Sequence, residues 1–112
     1  CALPISCPIL RENDGLAMSS RNRYLSPQER RLAPRLFEAL KDIQKSFSSG
    51  ERNTSLLLQD PIESLSHFFR LDYLHIVNPA TLRPRKIANS GDQLLVAAYL
   101  GKTRLIDNMK LT

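Results

Sequence analysis

The sequence predicts an α+β domain: two to three helical segments packed on one face of a small three-stranded antiparallel sheet. Three observations carry this. A helix-start signature at Ser26-Pro27-x-Glu29 leads into apolar residues at steps of three and four. The pattern changes to alternation at Asp72, and after an irregular proline-containing stretch two more strand-forming runs follow, to Asp107. A tight Gly101-Lys102 reversal separates the last two strand-forming runs, which makes them antiparallel neighbours.

The elements follow in order. Ile9 and Leu10 could end a strand, with Pro8 restricting it to an edge or a strand start. Arg11 to Leu25 is polar, contains Gly15 and has no clean period, so it reads as a long loop; one this long inside a compact domain is usually functional or disordered. Ser26 is then an N-cap, Pro27 the first helical residue and Glu29 the reciprocal cap. Leu32, Ala33, Leu36, Phe37, Leu40, Ile43 and Phe47 form one helical face, with Pro34 expected as a kink and Gly50 as the stop. A second helical region runs from about Thr54 to Phe69. Asp60-Pro61-Ile62-Glu63 repeats the capping logic and predicts a restart at Pro61, with Leu65, Phe68 and Phe69 toward the core. Strands are predicted over Asp72–Val77, Leu94–Leu100 and Thr103–Asp107. Asn78-Pro79 ends the first, Pro79 and Pro84 make the next stretch irregular, and Gly91-Asp92 is a turn.

One domain accounts for the 112 residues, with residues 1–7 read as an N-terminal remnant or linker and residues 8–112 as the domain. The sequence begins at Cys1 without an initiator Met and reads as a fragment or a processed product. A hydrophobic fraction of 42% with 24% charged residues fits a soluble globular class, not a disordered one. No apolar run approaches the ~20 residues of a membrane helix, and Arg11, Glu12 and Asp14 interrupt any signal-peptide pattern. Cys1 and Cys7 read as incidental thiols of a reducing compartment, and His67 and His75 are too isolated to complete a metal site. The net charge of +5 favours an anionic partner. A small basic nucleic-acid-binding module without catalysis is therefore one reading, but no aromatic interleaving or nucleic-acid motif supports it.

The stretch that carries chemistry is Arg11-Glu12-Asn13-Asp14-Gly15-Leu16-Ala17-Met18-Ser19-Ser20-Arg21-Asn22. Phosphate binding needs donors that surround an anion and a permanent cation. Ser19 and Ser20 offer hydroxyls and successive backbone N–H groups, Arg21 a fork of charged donors, Asn22 an amide, and Gly15 a sharp turn or a close approach. On spacing alone, a polar surface loop that happens to contain Ser-Ser-Arg is the plainer reading. Arg11, Glu12 and Asp14 read as shaping the loop through local hydrogen bonds or salt bridges. Asp107 and Asn108 read as structural residues at a strand end. Arg30, Arg31 and Arg35 read as a solvated helix face.

The whole stretch, continued by Tyr24-Leu25-Ser26, resembles the signature of the pantoate–β-alanine ligase (pantothenate synthetase) family. Asp72-Tyr73-Leu74-His75-Ile76-Val77 resembles that family's strand before the Thr81-Leu82 turn, and Leu95 through Asn108 resembles its C-terminal hairpin. The three blocks fall in the right order from about Pro8 to the end. The resemblance implies the C-terminal domain of a nucleotidyltransferase-like Rossmann enzyme, a domain that covers the ATP site. It implies a cytoplasmic ligase, a homodimer at full length, that joins pantoate to β-alanine through pantoyl adenylate. Met18-Ser19-Ser20-Arg21 is similar to the KMSKS loop of class I aminoacyl-tRNA synthetases and by that likeness holds the ATP phosphates, with Leu10 near the adenine. Mg2+ is expected with ATP, with no protein ligands to it here. The family's histidine motif, its pantoate-binding glutamines and its other ATP-binding residues belong to the N-terminal domain. The resemblance therefore places no catalytic residue in this segment and makes that Rossmann domain its partner. His67 and His75 do not substitute and read as structural or solvent-facing.

Overall fold

The computed structural model describes residues 10–112. The reading of residues 1–7 as a linker, the thiols Cys1 and Cys7, and a strand ending at Ile9 all lie outside the described residues; Leu10 itself is not in a strand. The described residues form a 3-10 helix Ser20–Tyr24, helices α1 (Pro27–Leu32), α2 (Arg35–Ser48) and α3 (Thr54–Ser66), and strands β1 (Arg70–Val77), β2 (Gln93–Leu100) and β3 (Thr103–Lys110). The strands make one antiparallel sheet in the order β1-β2-β3. The fold is α+β, as the sequence predicts.

The start of α1 has the predicted chemistry. Ser26 Oγ accepts from Glu29 N at 3.1 Å and the Glu29 carboxylate accepts from Ser26 N at 2.9 Å. The single kinked helix expected through Pro34 is instead two helices. Pro34 has no N–H to donate, and its ring crowds the carbonyl four residues back. Ala33 and Pro34 keep right-handed helical angles but fall between α1 and α2. Leu36, Leu40, Ile43 and Phe47 line the buried face of α2, as their spacing requires.

Helix α3 departs from expectation in the opposite sense. It does not restart at Pro61 but runs through it from Thr54, capped by Asn53, whose side chain accepts from Leu56 N. An interior proline costs about 3 kcal/mol. Leu57 and Leu65, buried on either side of Pro61 and eight residues apart on one face, each offset about 1.5–3 kcal/mol by their burial. Leu65 and Phe69 reach the core, but Phe68 does not: it is 41% exposed against 4% for Phe69, and the Arg35 guanidinium lies 4.4 Å over its ring. Arg35 is therefore not simply solvated.

In the sheet, Leu94, Val96, Ala98 and Leu100 of β2 point toward the helices, and Ile76, Leu74 and Leu105 join them from the neighbouring strands. Strand β1 begins two residues earlier than predicted, because a bulge at Asp72 lets Arg70 and Leu71 pair with β2. Strand β3 runs on past Asp107, so Asp107 and Asn108 lie within the strand and not at its end. The register sets Asp107 opposite Val96, on the side that faces the core.

Candidate functional site

The stretch from Arg11 to Leu25 is more ordered than an irregular loop. Arg11 and Ala17 pair as an isolated antiparallel bridge, Glu12 N donates to Leu16 O at 2.8 Å, and Met18 N donates to Leu10 O at 2.8 Å. This miniature hairpin turns at Gly15, whose φ of +94° is strained for any residue with a Cβ. A Cβ there would also overlap the Phe37 ring of α2. Leu16, 3% exposed, enters the core just beyond the turn. Sequence reasoning missed the 3-10 helix Ser20–Tyr24, since one turn leaves no periodicity to read.

Two ion pairs fix the base of the segment. Arg11 donates through Nη1 and Nη2 to the two Asp107 oxygens at 2.7 and 2.8 Å, and donates also to the carbonyls of Gly15 and Asn108. Its guanidinium lies 3.9 Å from the centre of the Phe37 ring. Asp107 is an acidic side chain on the core face, 2% exposed, and Arg11 is the cation that matches it. The second pair joins Asp14 to Arg30 of α1 at 2.7 and 3.1 Å. The Arg30 hydrogen bond holds the Asp14 carboxyl below its ordinary value of 3.8, outweighing the opposing effect of burial. Arg11 and Asp14 thus shape the loop, as expected, whereas Arg30 is paired and not part of a solvated face.

The predicted phosphate contacts sit above this base. The Leu10–Met18 hydrogen bond brings those two residues together across the mouth of the hairpin, both well exposed. Ser19 is extended and caps the 3-10 helix, its Oγ accepting from Arg21 N at 3.1 Å, so its hydroxyl proton remains to be donated. Ser20 and Arg21 are exposed, and the Arg21 guanidinium makes no ion pair with any described residue. Asn22 turns back, its amide donating to Ala17 O at 3.0 Å, and so braces the loop. Leu10 is therefore joined to Met18, and Ser19, Ser20 and Arg21 follow directly along the chain.

Sequence reasoning did not anticipate what faces Ser19 and Arg21. Arg21 lines a pocket of about 260 Å³ with Ser19, Asn22 and Arg104, and an open cleft of about 650 Å³ with Tyr24, Lys102, Thr103 and Arg104. The signal was present: Lys102 and Arg104 are alternate residues directly after the Gly101 reversal. Arg104 is held by Asp72 at 3.0 Å. The arrangement can receive an anion between two walls that both carry positive charge. His67 and His75 lie elsewhere, exposed, the first edge-on to Phe68 and the second stacked on Tyr73. Among the described residues no three His, Cys, Asp or Glu side chains gather as a metal ion would require, and no helix is long and apolar enough to cross a membrane.

Comparison with known proteins gives one consistent result. Residues 4–110 match the family model of pantoate-beta-alanine ligase. The pantothenate synthetase of Marinobacter nauticus is 47% identical over 109 residues, covering 96% of this chain and 39% of that protein. The pantothenate synthetase of Thermotoga neapolitana is 47% identical over 106 residues, with 93% and 38% covered. Pantothenate synthetase from Thermus thermophilus superposes with a TM-score of 0.86 at 41% identity, over 94% of this chain and 38% of that one. The pantoate-beta-alanine ligase of Francisella tularensis, solved in complex with beta-gamma ATP and beta-alanine, gives 0.57 at 26% identity over 93% and 31%. This chain thus spans 38–39% of the length of these curated relatives. Sequence blocks, fold and relatives agree, and the chain belongs to the pantoate-beta-alanine ligase family.

Proposed function

We propose that this chain is the C-terminal, ATP-covering part of a ligase that condenses pantoate with β-alanine. In that reaction the pantoate carboxylate attacks the α-phosphate of ATP, giving pantoyl adenylate and pyrophosphate. The β-alanine amine then attacks the acyl carbon, and AMP leaves. Met18, Ser19, Ser20 and Arg21 hold the phosphates, and Leu10 lies by the adenine. The observation that carries the reading is the setting of Arg21 against the three arginines that brace its segment or line its cleft. Arg11, Arg30 and Arg104 are each matched to a carboxylate, while Arg21, beside two serine hydroxyls, is exposed and has no carboxylate partner among the described residues. Charge grows on the β- and γ-phosphates as pyrophosphate departs, and donors already aimed there lower that barrier. The Francisella tularensis relative, named for its complex with a form of ATP and with β-alanine, supports the substrate assignment.

A Rossmann domain N-terminal to this segment would supply the groups that bind and orient pantoate, so the chain alone would be inactive. Mg2+ would arrive with ATP. A cytoplasmic homodimer is the corresponding full-length form. In the complete enzyme, Arg21→Ala should slow pyrophosphate exchange into ATP by about 10²-fold, the size seen when one such donor is removed, with little change in melting temperature. Unchanged exchange kinetics would refute the phosphate role. Pantothenate formation by the purified 112-residue chain would refute the division of labour.

A further inference from the structure

We propose that the β2–β3 hairpin tip forms the second wall of the polyphosphate site, with Lys102 facing Arg21 across the open cleft and contacting the departing pyrophosphate. The inference rests on the nucleotide reading above and extends it to a residue outside the Met18–Arg21 loop. The cleft of about 650 Å³ is lined by Arg21, Tyr24, Lys102, Thr103 and Arg104, so three of its five lining side chains are cations. They differ in how they are held. Arg104 is tied to Asp72 through Nε and Nη2, at 3.3 and 3.0 Å, and lies over the Tyr73 ring. Its charge is largely answered within the fold. Lys102 is exposed and, like Arg21, has no ion-pair partner among the described residues.

The position of the tip is fixed. Gly101 has a φ of +62°, and a Cβ there would overlap the Glu29 carboxylate, which itself closes the capping box of α1. The helix start thus buttresses the turn that presents Lys102. The backbone is set and the ammonium is free, a combination suited to a ligand whose charge changes during reaction: a flexible point charge can follow it. Two unanswered cations on facing walls match a ligand with two linked phosphates better than a monophosphate, which one wall suffices to hold. In the adenylation step the bond between the pantoate oxygen and the α-phosphorus forms as the bond from that phosphorus to the bridging oxygen breaks. The electron pair leaves with pyrophosphate, and this is the charge Lys102 would meet.

The test is an amide-resolved NMR titration of the 112-residue chain with inorganic pyrophosphate at low salt, with AMP and a short single-stranded DNA in parallel. Pyrophosphate should shift Arg21 and Lys102–Arg104 saturably, and AMP should leave Lys102 unmoved. Lys102→Met should raise the pyrophosphate Kd about three- to fivefold, the upper range for one exposed charge contact. Lys102→Arg should restore it, and Lys45→Met, the same charge loss at the far end of α2, should change it much less. Spectral dispersion in each variant verifies folding. An unchanged Kd in Lys102→Met, AMP shifting Lys102 as pyrophosphate does, or DNA binding at Lys102 more tightly than pyrophosphate would each overturn the proposal. If Arg21→Ala weakens binding and Lys102→Met does not, the hairpin inference falls while the phosphate loop stands. If neither changes it, both fall.

Discussion

Truncating Arg11 to Ala is the sharpest test of how the candidate loop is held. The change leaves the Asp107 carboxylate, 2% exposed, facing the core without its cation. Removing one member of a buried pair costs about 3–5 kcal/mol. Two features of the structure move the figure to the low end. The Arg11 side chain is itself 20% exposed, and Asp107 keeps the Asn108 N–H at 2.7 Å. Loss of the guanidinium–Phe37 contact adds about 0.5–1 kcal/mol. The sum is about 3–4 kcal/mol, a large share of the ~5–15 kcal/mol expected for the whole domain. It should lower Tm by roughly 12 °C or more. Urea denaturation followed by circular dichroism gives the free energy, and amide exchange at Met18 reports loosening of the hairpin. The combined Arg11→Met and Asp107→Leu change should recover most of the loss, because a buried pair confers little over apolar packing. A loss below about 1 kcal/mol for Arg11→Ala, or a coupling below about 0.5 kcal/mol in the Arg11/Asp107 cycle, would refute the claim that this pair anchors the segment.

Other perturbations separate the remaining forces. Gly15→Ala and Gly50→Ala both force an L side chain to positive φ, at about 1–2 kcal/mol. Only at Gly15 would the Cβ also meet the Phe37 ring, so urea curves should show a clearly larger loss there. Phe69→Ala should cost about 3–5 kcal/mol, whereas half-exposed Phe68→Ala should cost under about 1 kcal/mol, measured the same way. Asp14→Asn should act with pH. The Arg30 hydrogen bond depresses the folded-state carboxyl below 3.8, so near that pH the unfolded chain binds more protons. The stability difference between the native protein and Asp14→Asn should be flat near neutrality and shrink as pH falls through 3.8 and below. A difference independent of pH down to acid unfolding would count against the pair.

The helices and strands were legible because their signals are local. The capping box at Ser26 and Glu29 and the alternation of β2 need only neighbouring residues. The errors arose where distant parts of the chain decide. Pro61 reads as a restart until Leu57 and Leu65 are seen to share one core, and Phe68 reads as buried until Phe69 is seen to take that place. Arg70 and Leu71 fall between the predicted helix and the predicted strand because the bulge at Asp72 hides their pairing with β2. The candidate loop was legible as a segment but its architecture was not. Arg11 and Asp107 are 96 residues apart, and one sequence carries no sign that they meet. A partial signal was there: Thr103, Leu105 and Asp107 alternate on one side of β3, so an acid on a core-facing parity demands a cation from somewhere.

That demand bears on function. The segment could have been a tether, free to close over a ligand at an entropic cost. It is instead pinned at Arg11 by Asp107, at Leu16 by insertion into the core and at Asp14 by Arg30, while Met18 through Arg21 project beyond these anchors. Each residue ordered on binding would cost about 1–2 kcal/mol, so a base already fixed by folding leaves more of the interaction energy for the ligand. The same logic explains why Arg11, Arg30 and Arg104, which brace the segment or line its cleft, are matched to carboxylates while Arg21 is not. A cation that must steady the fold needs its carboxylate, and a cation that must meet phosphate serves best without one.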